Sequence, residues 1–232
     1  MKPIKIIFAI LALAASSSAL AIPAMSVITV NTEDPAAYVN WTKKHGKTVG
    51  SSINAGVGGI CVNTAGHYSP GELYYWHLFD SHATAVAADR GNSTITKALK
   101  SLSVKRVISQ ADILQIVAAE PSSMSVGDTF SNWNIIVSTD DPALYLSQVQ
   151  TLANTAQQNG FDDVSMAAYA YMTGPNAGKL MVVSQAPTPA RLGEFLDATA
   201  SEWAAPIMNR LGGIRSYEHG FMMNCTVVHS SQ

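Results

Sequence analysis

The spacing of the apolar residues alternates along the chain between that of a strand and that of a helix, and the same series of strand-like and helix-like segments occurs twice. In each half a β-branched run precedes an apolar stripe at helical spacing, two strand-like runs, a second helical stripe and a last strand-like run. After the β-branched run near Ile28, we predict helices over about 35–49 and 83–102 and strands over 56–64, 73–79 and 111–118. After the run near Ile135, we predict helices over about 142–159 and 188–211 and strands over 165–173, 180–185 and 219–228.

The two halves are also similar in sequence. Residues 28–38 align with residues 135–145 at a constant offset of 107, and seven of the eleven positions are identical. A period of this length is the size of a small domain, so it indicates duplication of a whole fold. The order βαββαβ in each half is the ferredoxin-like arrangement. We therefore predict a first repeat over 22–119, a linker over 120–130 and a second repeat over 131–232.

The first helix of each half has the same predicted start. Asp34-Pro35 and Asp141-Pro142 follow the β-branched runs. An Asp side chain can accept hydrogen bonds from the free N–H groups of a first helical turn, and Pro suits that turn because it has no N–H to satisfy. Both dipeptides therefore predict helix N-termini.

The N-terminal segment has the features of a secretory signal peptide. Lys2 and Lys5 precede an apolar run over 6–15, and Ala19-Leu20-Ala21 supplies a small-x-small ending. The run is shorter than the roughly 20 residues of a membrane span, although an uncleaved anchor is the alternative. We predict a signal peptide over 1–21 and a mature protein that is periplasmic or secreted, with no membrane association after cleavage.

Composition excludes several classes of protein. Hydrophobic residues make up 47% of the chain and charged residues 13%, which is enough apolar material for a packed core. The formal net charge is −2, with no long basic or acidic run. A nucleic-acid partner would require a clustered basic face, so none is expected.

The chain has two cysteines, Cys61 and Cys225, and both lie in the predicted mature part. In an oxidising compartment they can form a single disulfide. The alternative is a pair of buried thiols that act as small apolar side chains.

A short segment of the first half resembles a known family. Residues 77–85, His77-Leu78-Phe79-Asp80-Ser81-His82-Ala83-Thr84-Ala85, resemble the strand end and helix entry of the antibiotic-biosynthesis-monooxygenase group in the dimeric α/β-barrel superfamily. The corresponding segment of the second half, 184–188, lacks the aromatic and the acidic residue. The resemblance implies an α+β fold in which two ferredoxin-like βαββαβ repeats form a pseudo-dimeric α/β barrel, as a monomer or a homodimer.

The same resemblance has consequences for the cysteines and for the ligand. In such a barrel the second strand of one half lies near the last strand of the other, so it implies a Cys61–Cys225 disulfide at that seam. Relatives act on small aromatic or polyketide-like molecules, or on haem, in an apolar lumen. A small-molecule ligand is therefore the expected partner, and the cofactor stays unspecified.

His77 is the leading candidate for chemistry. In the predicted third strand Tyr75, His77 and Phe79 alternate onto one face. Ser184 is the equivalent of His77 in the second half, and a polar residue in both copies favours the lumen face. A histidine there could act as an acid or base or bind a haem-like ligand, whereas a structural histidine bonded to a carbonyl is the alternative. The candidate ligand-binding residues are Tyr75, Trp76, Tyr169 and Tyr171.

The sequence contains no motif for several other kinds of site. It has no HxxxH or CxxC metal spacing, no GxSxG elbow and no phosphate-binding loop, so no metal site is predicted. The first hypothesis is a monooxygenase-like barrel that binds a small apolar or aromatic ligand. The alternative is a non-catalytic secreted carrier, or a structural or interaction protein whose lumen is filled by side chains.

Overall fold

The computed structural model of the chain describes residues 22–118 and 124–231, so the predicted signal peptide over 1–21 lies outside the described residues. Within those two ranges the chain is α+β, with eight strands and six helices. The strands are β1 (Ala24–Thr32), β2 (Val57–Ala65), β3 (Glu72–Phe79), β4 (Arg106–Ala118), β5 (Thr129–Ser138), β6 (Ser165–Tyr171), β7 (Leu180–Ala186) and β8 (Ser216–Ser230). The helices are α1 (Pro35–Ser52), α2 (His82–Ala87), α3 (Ser93–Leu99), α4 (Pro142–Gln158), α5 (Pro189–Ala198) and α6 (Ala205–Gly213).

The strands close into an antiparallel barrel. Around the barrel the order is β1-β3-β2-β8-β5-β7-β6-β4, and β4 pairs with β1 to complete the circle. Strands from the first part of the chain meet strands from the second part at β2–β8 and at β4–β6. Closure leaves no free strand edge, so the sheet has only an inner face and an outer face.

Apolar side chains form three clusters, and they separate the two faces of the barrel wall. One cluster packs α1 and α3 against the outer face of β1, β2 and β3, and Tyr38, Trp41 and Tyr75 belong to it. A second cluster packs α4, α5 and α6 against β5, β6 and β7. The third lies inside the barrel and includes Trp76 and Phe221. The strands are therefore buried on both faces, as in other barrels covered by helices.

Matched contacts recur where each half begins. Asp34 and Asp141 cap α1 and α4, each by accepting a hydrogen bond at 2.9 Å from the backbone N–H three residues later. Both predicted helix starts are confirmed. The phenol of Tyr38 accepts a hydrogen bond from the Arg106 guanidinium at 2.9 Å. The phenol of Tyr145 accepts the corresponding bond from Arg215 at 3.1 Å.

Removing the cap of α4 should have a measurable and local cost. Asp141→Ala should lower the free energy of unfolding by about 1 kcal/mol, because the first turn loses a hydrogen-bond acceptor. Urea titration followed by circular dichroism measures the change. Asp140→Ala, at an exposed position one residue earlier, is the matched control and should be neutral. Equal losses in the two variants would contradict the capping role.

The second helix predicted in each half is divided in two. The stretch predicted as one helix over 83–102 contains α2 and α3, separated by a turn in which Asp89 accepts a hydrogen bond from the Gly91 N–H. Asn92 then caps α3 through Ile95 N–H at 3.0 Å. The stretch over 188–211 contains α5 and α6, and Pro206 lies in the first turn of α6. Between α2 and α3, Asp89, Gly91 and Asn92 form the turn through their own side-chain and backbone bonds, and that local chemistry overrides the helical period.

The predicted linker over 120–130 falls partly outside the described residues, and β5 begins within it at Thr129. Within the described ranges no helix is both long and apolar enough to cross a membrane.

Candidate functional site

The lumen is not filled by side chains. It contains a cavity of about 460 Å³ whose wall includes residues from every strand of the barrel. This volume falls within the range of roughly 300–1,000 Å³ that is usual for small-molecule sites. Among the residues of the described ranges that line it, none is Lys, Arg or His.

The inner part of the wall is aromatic and apolar. Trp76 of β3 and Phe130 of β5 lie with their ring centroids 6.4 Å apart. Met25, Met223 and Val183 line the same space. Rings and thioethers make a surface that adapts to the outline of a flat or flexible apolar body.

A row of stacked rings leads from the open end of the cavity into the lumen. Tyr68, in the loop between β2 and β3, is 67% exposed and stacks on His219 of β8 at a centroid distance of 4.1 Å. His219 stacks on Phe221 at 5.6 Å, and Phe221 stacks on Tyr74 of β3 at 5.2 Å. Tyr68, Tyr74 and Phe221 line the cavity, so these rings form one continuous side of its mouth.

A carboxyl group, Glu72, lies beside this row. Its Oε1 accepts hydrogen bonds from the Tyr74 phenol at 2.5 Å and from the Asn63 amide at 3.0 Å. Burial, together with the bond to Glu72, raises the pKa of Tyr74 above its ordinary range. Tyr74 is therefore a protonated donor whose proton is directed at Glu72.

A second carboxyl group, Asp112 of β4, lines the cavity and is only 4% exposed. One of its oxygens accepts a hydrogen bond from the Gln110 amide, and the other has no hydrogen-bond partner among the described residues. Gly174 in the loop between β6 and β7 packs directly on that oxygen, with φ +79° and no room for a side chain. Burial raises the pKa of Asp112, and the bond from Gln110 opposes this shift.

Three of the candidate ligand-binding residues are in the cavity wall. Trp76, Tyr169 and Tyr171 all line it. The Tyr171 phenol donates to the Met181 sulfur at 3.6 Å. Burial raises the pKa of Tyr169 to about 12 and raises that of Tyr171 as well, so both phenols stay protonated.

His77 and Tyr75 lie on the other side of the wall. The expectation that His77 faces the lumen is wrong: its neighbours on the outer face are the rings of Tyr75, 4.5 Å away, and Phe79, 6.5 Å away. Tyr75 packs in the cluster under α1 and α3 and does not line the cavity. Period-two alternation correctly separates residues 75, 77 and 79 from residues 74, 76 and 78. The second set, and not the first, faces the lumen.

His77 is buried against the barrel wall. It is 1% exposed, and its Cδ2 lies 2.7 Å from the point where a β-carbon on Gly58 would be, so the imidazole occupies the space left by that glycine. Neither ring nitrogen has a hydrogen-bond partner among the described residues. Burial, with smaller contributions from the charges of Arg90 and His229, lowers the pKa of His77 to about 3. It is a neutral imidazole in an apolar layer.

The disulfide is confirmed. Cys61 of β2 and Cys225 of β8 are directly opposite each other in the antiparallel ladder, and their sulfurs are bonded. Cys61 also lines the cavity. The bond joins positions 164 residues apart and lies at one of the two seams of the barrel.

The described residues contain no group of three or more His, Cys, Asp or Glu that could hold a metal ion. What the wall offers to a ligand is an aromatic surface, protonated phenols and carboxyl groups.

The residues that give the cavity its polarity were missed by the sequence analysis. Glu72 and Asp112 are single acidic residues at strand positions, and Asn132 and Asn134 of β5 also line the cavity. The only available signal was that polar residues alternate with apolar ones along β5, Asn132 and Asn134 flanking Trp133. Such alternation indicates a solvent-facing side of a strand as readily as a polar lumen.

No protein-family model and no curated protein matches the sequence. Solved structures match the fold: a proposed monooxygenase from Fusobacterium nucleatum has a TM-score of 0.61 at 10% identity, covering 90% of this chain and 93% of that one. One from Lactobacillus acidophilus has a TM-score of 0.60 at 10% identity, covering 89% and 94%. A haem-binding protein from Thermus thermophilus has a TM-score of 0.50 at 9% identity, covering 87% and 90%. The chain therefore shares the overall fold of these structures.

Proposed function

We propose that this protein is an exported, monooxygenase-like barrel that binds a small apolar or aromatic molecule in its lumen. The observation that carries the proposal is the cavity of about 460 Å³ inside a closed barrel, with aromatic rings along its inner wall and mouth. A monomeric protein that packs its core to normal density leaves few voids larger than a water molecule. A cavity of this size with an open, ring-lined entrance is best explained by a ligand.

We further propose that the barrel arose by tandem duplication of a ferredoxin-like unit. The strand order supports this. Around the barrel β4-β1-β3-β2 is followed by β8-β5-β7-β6, which is the same order with every strand number raised by four. The matched contacts support it too. Tyr38 and Tyr145 are 107 residues apart, and their arginine partners Arg106 and Arg215 are 109 apart. Joined in one chain, the two units act as a pseudo-dimer.

Haem does not fit this lumen. Within the described ranges no histidine and no free thiol lines the cavity, and its tyrosines are held protonated, whereas a tyrosine that binds haem iron must ionise. Haem also carries two carboxylates, and the acidic groups of this wall, Glu72 and Asp112, would repel them. The haem-like ligand considered from the sequence is therefore not part of the proposal.

Export is supported by two features. The chain begins with a charged start, a short apolar run and a small-x-small ending before residue 22. The mature part contains a disulfide, and such bonds persist in oxidising compartments such as the periplasm or the extracellular space.

Ligand carriage is the function that the geometry favours, and catalysis is the second candidate. The fold similarity to proposed monooxygenases favours an enzyme. Asp112 is the group in the wall best suited to accept a proton, because it is a carboxyl group whose pKa is raised by burial. Oxygen uptake that depends on a bound phenol and is lost in Asp112→Asn would establish the enzyme.

Binding in the lumen can be tested by filling it. Ala167 of β6 lines the cavity, so Ala167→Phe places a ring inside it. N-pentyldansylamide, an environment-sensitive fluorophore with an apolar tail, should bind the wild type with enhanced emission, and its affinity should fall at least about tenfold in Ala167→Phe because the space is taken. Fluorescence titration measures both affinities.

Ala143→Phe is the control, since it adds the same ring at an exposed position on α4. It should bind like the wild type. Circular dichroism and the melting temperature establish that each variant is folded. No binding to the wild type, or equal binding to both variants, would contradict a ligand site in the lumen.

A further inference from the structure

Among the residues that line the cavity, the fully buried side-chain polar atoms that lack a partner are all of one kind. They are Oδ1 of Asp112, Oδ1 of Asn132 and Oδ1 of Asn134, and each is buried without a hydrogen-bond partner among the described residues. All three are acceptors. Buried acceptors without partners are costly, and native proteins usually satisfy them with protein, water or ligand.

The donors beside these oxygens are already in use. The Asn134 amide donates to the Phe221 carbonyl at 3.4 Å. The Asn132 amide contacts the Cys225 sulfur at 3.8 Å. Gln110 donates to the other oxygen of Asp112. A ligand with N–H or O–H groups can supply the missing donors.

The charged side chains that line the cavity in the described ranges are all acidic. Two acidic side chains, Glu72 and Asp112, line it, and none of its lining residues in the described ranges is cationic. The imidazole of His219 is stacked between Tyr68 and Phe221 in the row of rings at the mouth and does not line the cavity. Nothing in the described wall compensates these acids, so the cavity favours a positive guest.

The aromatic rings of the wall also favour a positively charged guest. Tyr74, Trp76, Tyr171 and Phe221 present rings to the cavity, and the faces of such rings carry a negative quadrupole that attracts cations. Asp112 lies at the same end of the barrel as Tyr171, whose pKa its charge helps to raise. An ammonium group there would have a carboxyl partner and aromatic faces around it.

We propose that the ligand is a protonated amine on an apolar or aromatic body, with its ammonium group hydrogen-bonded to Asp112. The amide oxygens of Asn132 and Asn134, on the opposite part of the wall, accept further N–H or O–H donors of the same molecule. This inference rests on the proposed function, because it specifies the chemistry of the ligand that the lumen binds.

Three dansylamides test the proposal, because they share one body and differ only at the end of a pentyl chain: ammonium, carboxylate or methyl. A hydrogen bond to a charged group contributes about 1.5–3 kcal/mol, so the ammonium probe should bind the wild type at least about tenfold more tightly than the methyl probe. The carboxylate probe should bind most weakly. Fluorescence titration at one ionic strength gives the three dissociation constants.

The Asp112→Asn variant removes the charge and keeps the shape. It should weaken the ammonium probe about tenfold or more and leave the methyl probe unchanged, whereas Asp140→Asn on the surface should change neither. If Asp112→Asn is not folded by circular dichroism, Asp112→Ser, with Asp140→Ser as its exposed control, provides the same comparison.

The outcomes separate this inference from the function on which it rests. Equal or tighter binding of the methyl or carboxylate probe by the wild type would overturn the amine proposal and leave lumen binding intact. An ammonium preference that survives the substitution of Asp112 would also overturn it. Binding of none of the three probes would contradict lumen binding itself.

Discussion

Reducing the Cys61–Cys225 disulfide should lower the stability of the protein more than any other single covalent change. The bond closes a loop between positions 164 residues apart, and it joins β2 to β8 at a seam of the barrel. Restricting so long a loop in the unfolded chain is worth about 3–5 kcal/mol. In a protein of this size that corresponds to a fall in melting temperature of about 10 °C.

The measurement compares thermal unfolding with and without dithiothreitol, with thiol counting to show that reduction is complete. The Cys61→Ala/Cys225→Ala double variant is the control. It should melt at a low temperature in both conditions, since it has no bond to reduce. An unchanged melting temperature in fully reduced wild type would show that the seam is held without the disulfide.

Acidification should destabilise the protein through His77. Its pKa is lowered to about 3 in the folded protein, whereas an imidazole in the unfolded chain has a pKa of 6.5. Below pH 6.5 the unfolded state therefore binds a proton that the folded state does not, and stability is lost as pH falls until about pH 3. The loss approaches about 1.4 kcal/mol per pH unit, so between pH 6.5 and pH 4.5 it should amount to about 2–3 kcal/mol.

Replacing the imidazole isolates its contribution. The free energy of unfolding, measured in urea at several pH values, should fall less steeply on acidification in His77→Phe than in the wild type. The raised pKa of Asp112 acts in the opposite sense, because the folded state then holds a proton more tightly than the unfolded state does, but it acts equally in both proteins. His67→Phe, at an exposed loop position, is the control and should keep the wild-type slope. Parallel curves for wild type and His77→Phe would contradict this account.

The faces of β3 show why His77 was assigned to the wrong side. Period-two alternation separates the residues of a strand into two sets, and it did so correctly for residues 74–79. It identifies the buried set only when one face is exposed to water. Here helices cover the outside and the barrel encloses the inside, so almost every residue of β3 is buried, on both faces of the strand.

The sequence by itself determined the features that depend on neighbours along the chain. The helix starts at Asp34 and Asp141 follow from the chemistry of a cap and a proline, and the order of strands and helices follows from their periods. The α+β barrel was reached through a short resemblance, which also implied the Cys61–Cys225 bond.

The tertiary structure alone decided what the lumen contains. Glu72, Asp112 and Asn134 come from three different strands, and no spacing along the chain relates them. They face one cavity because strand tilt and closure fix which side chains point inward, and that choice depends on how the two halves of the chain meet. Local patterns determine elements, whereas the closure of the barrel determines the site.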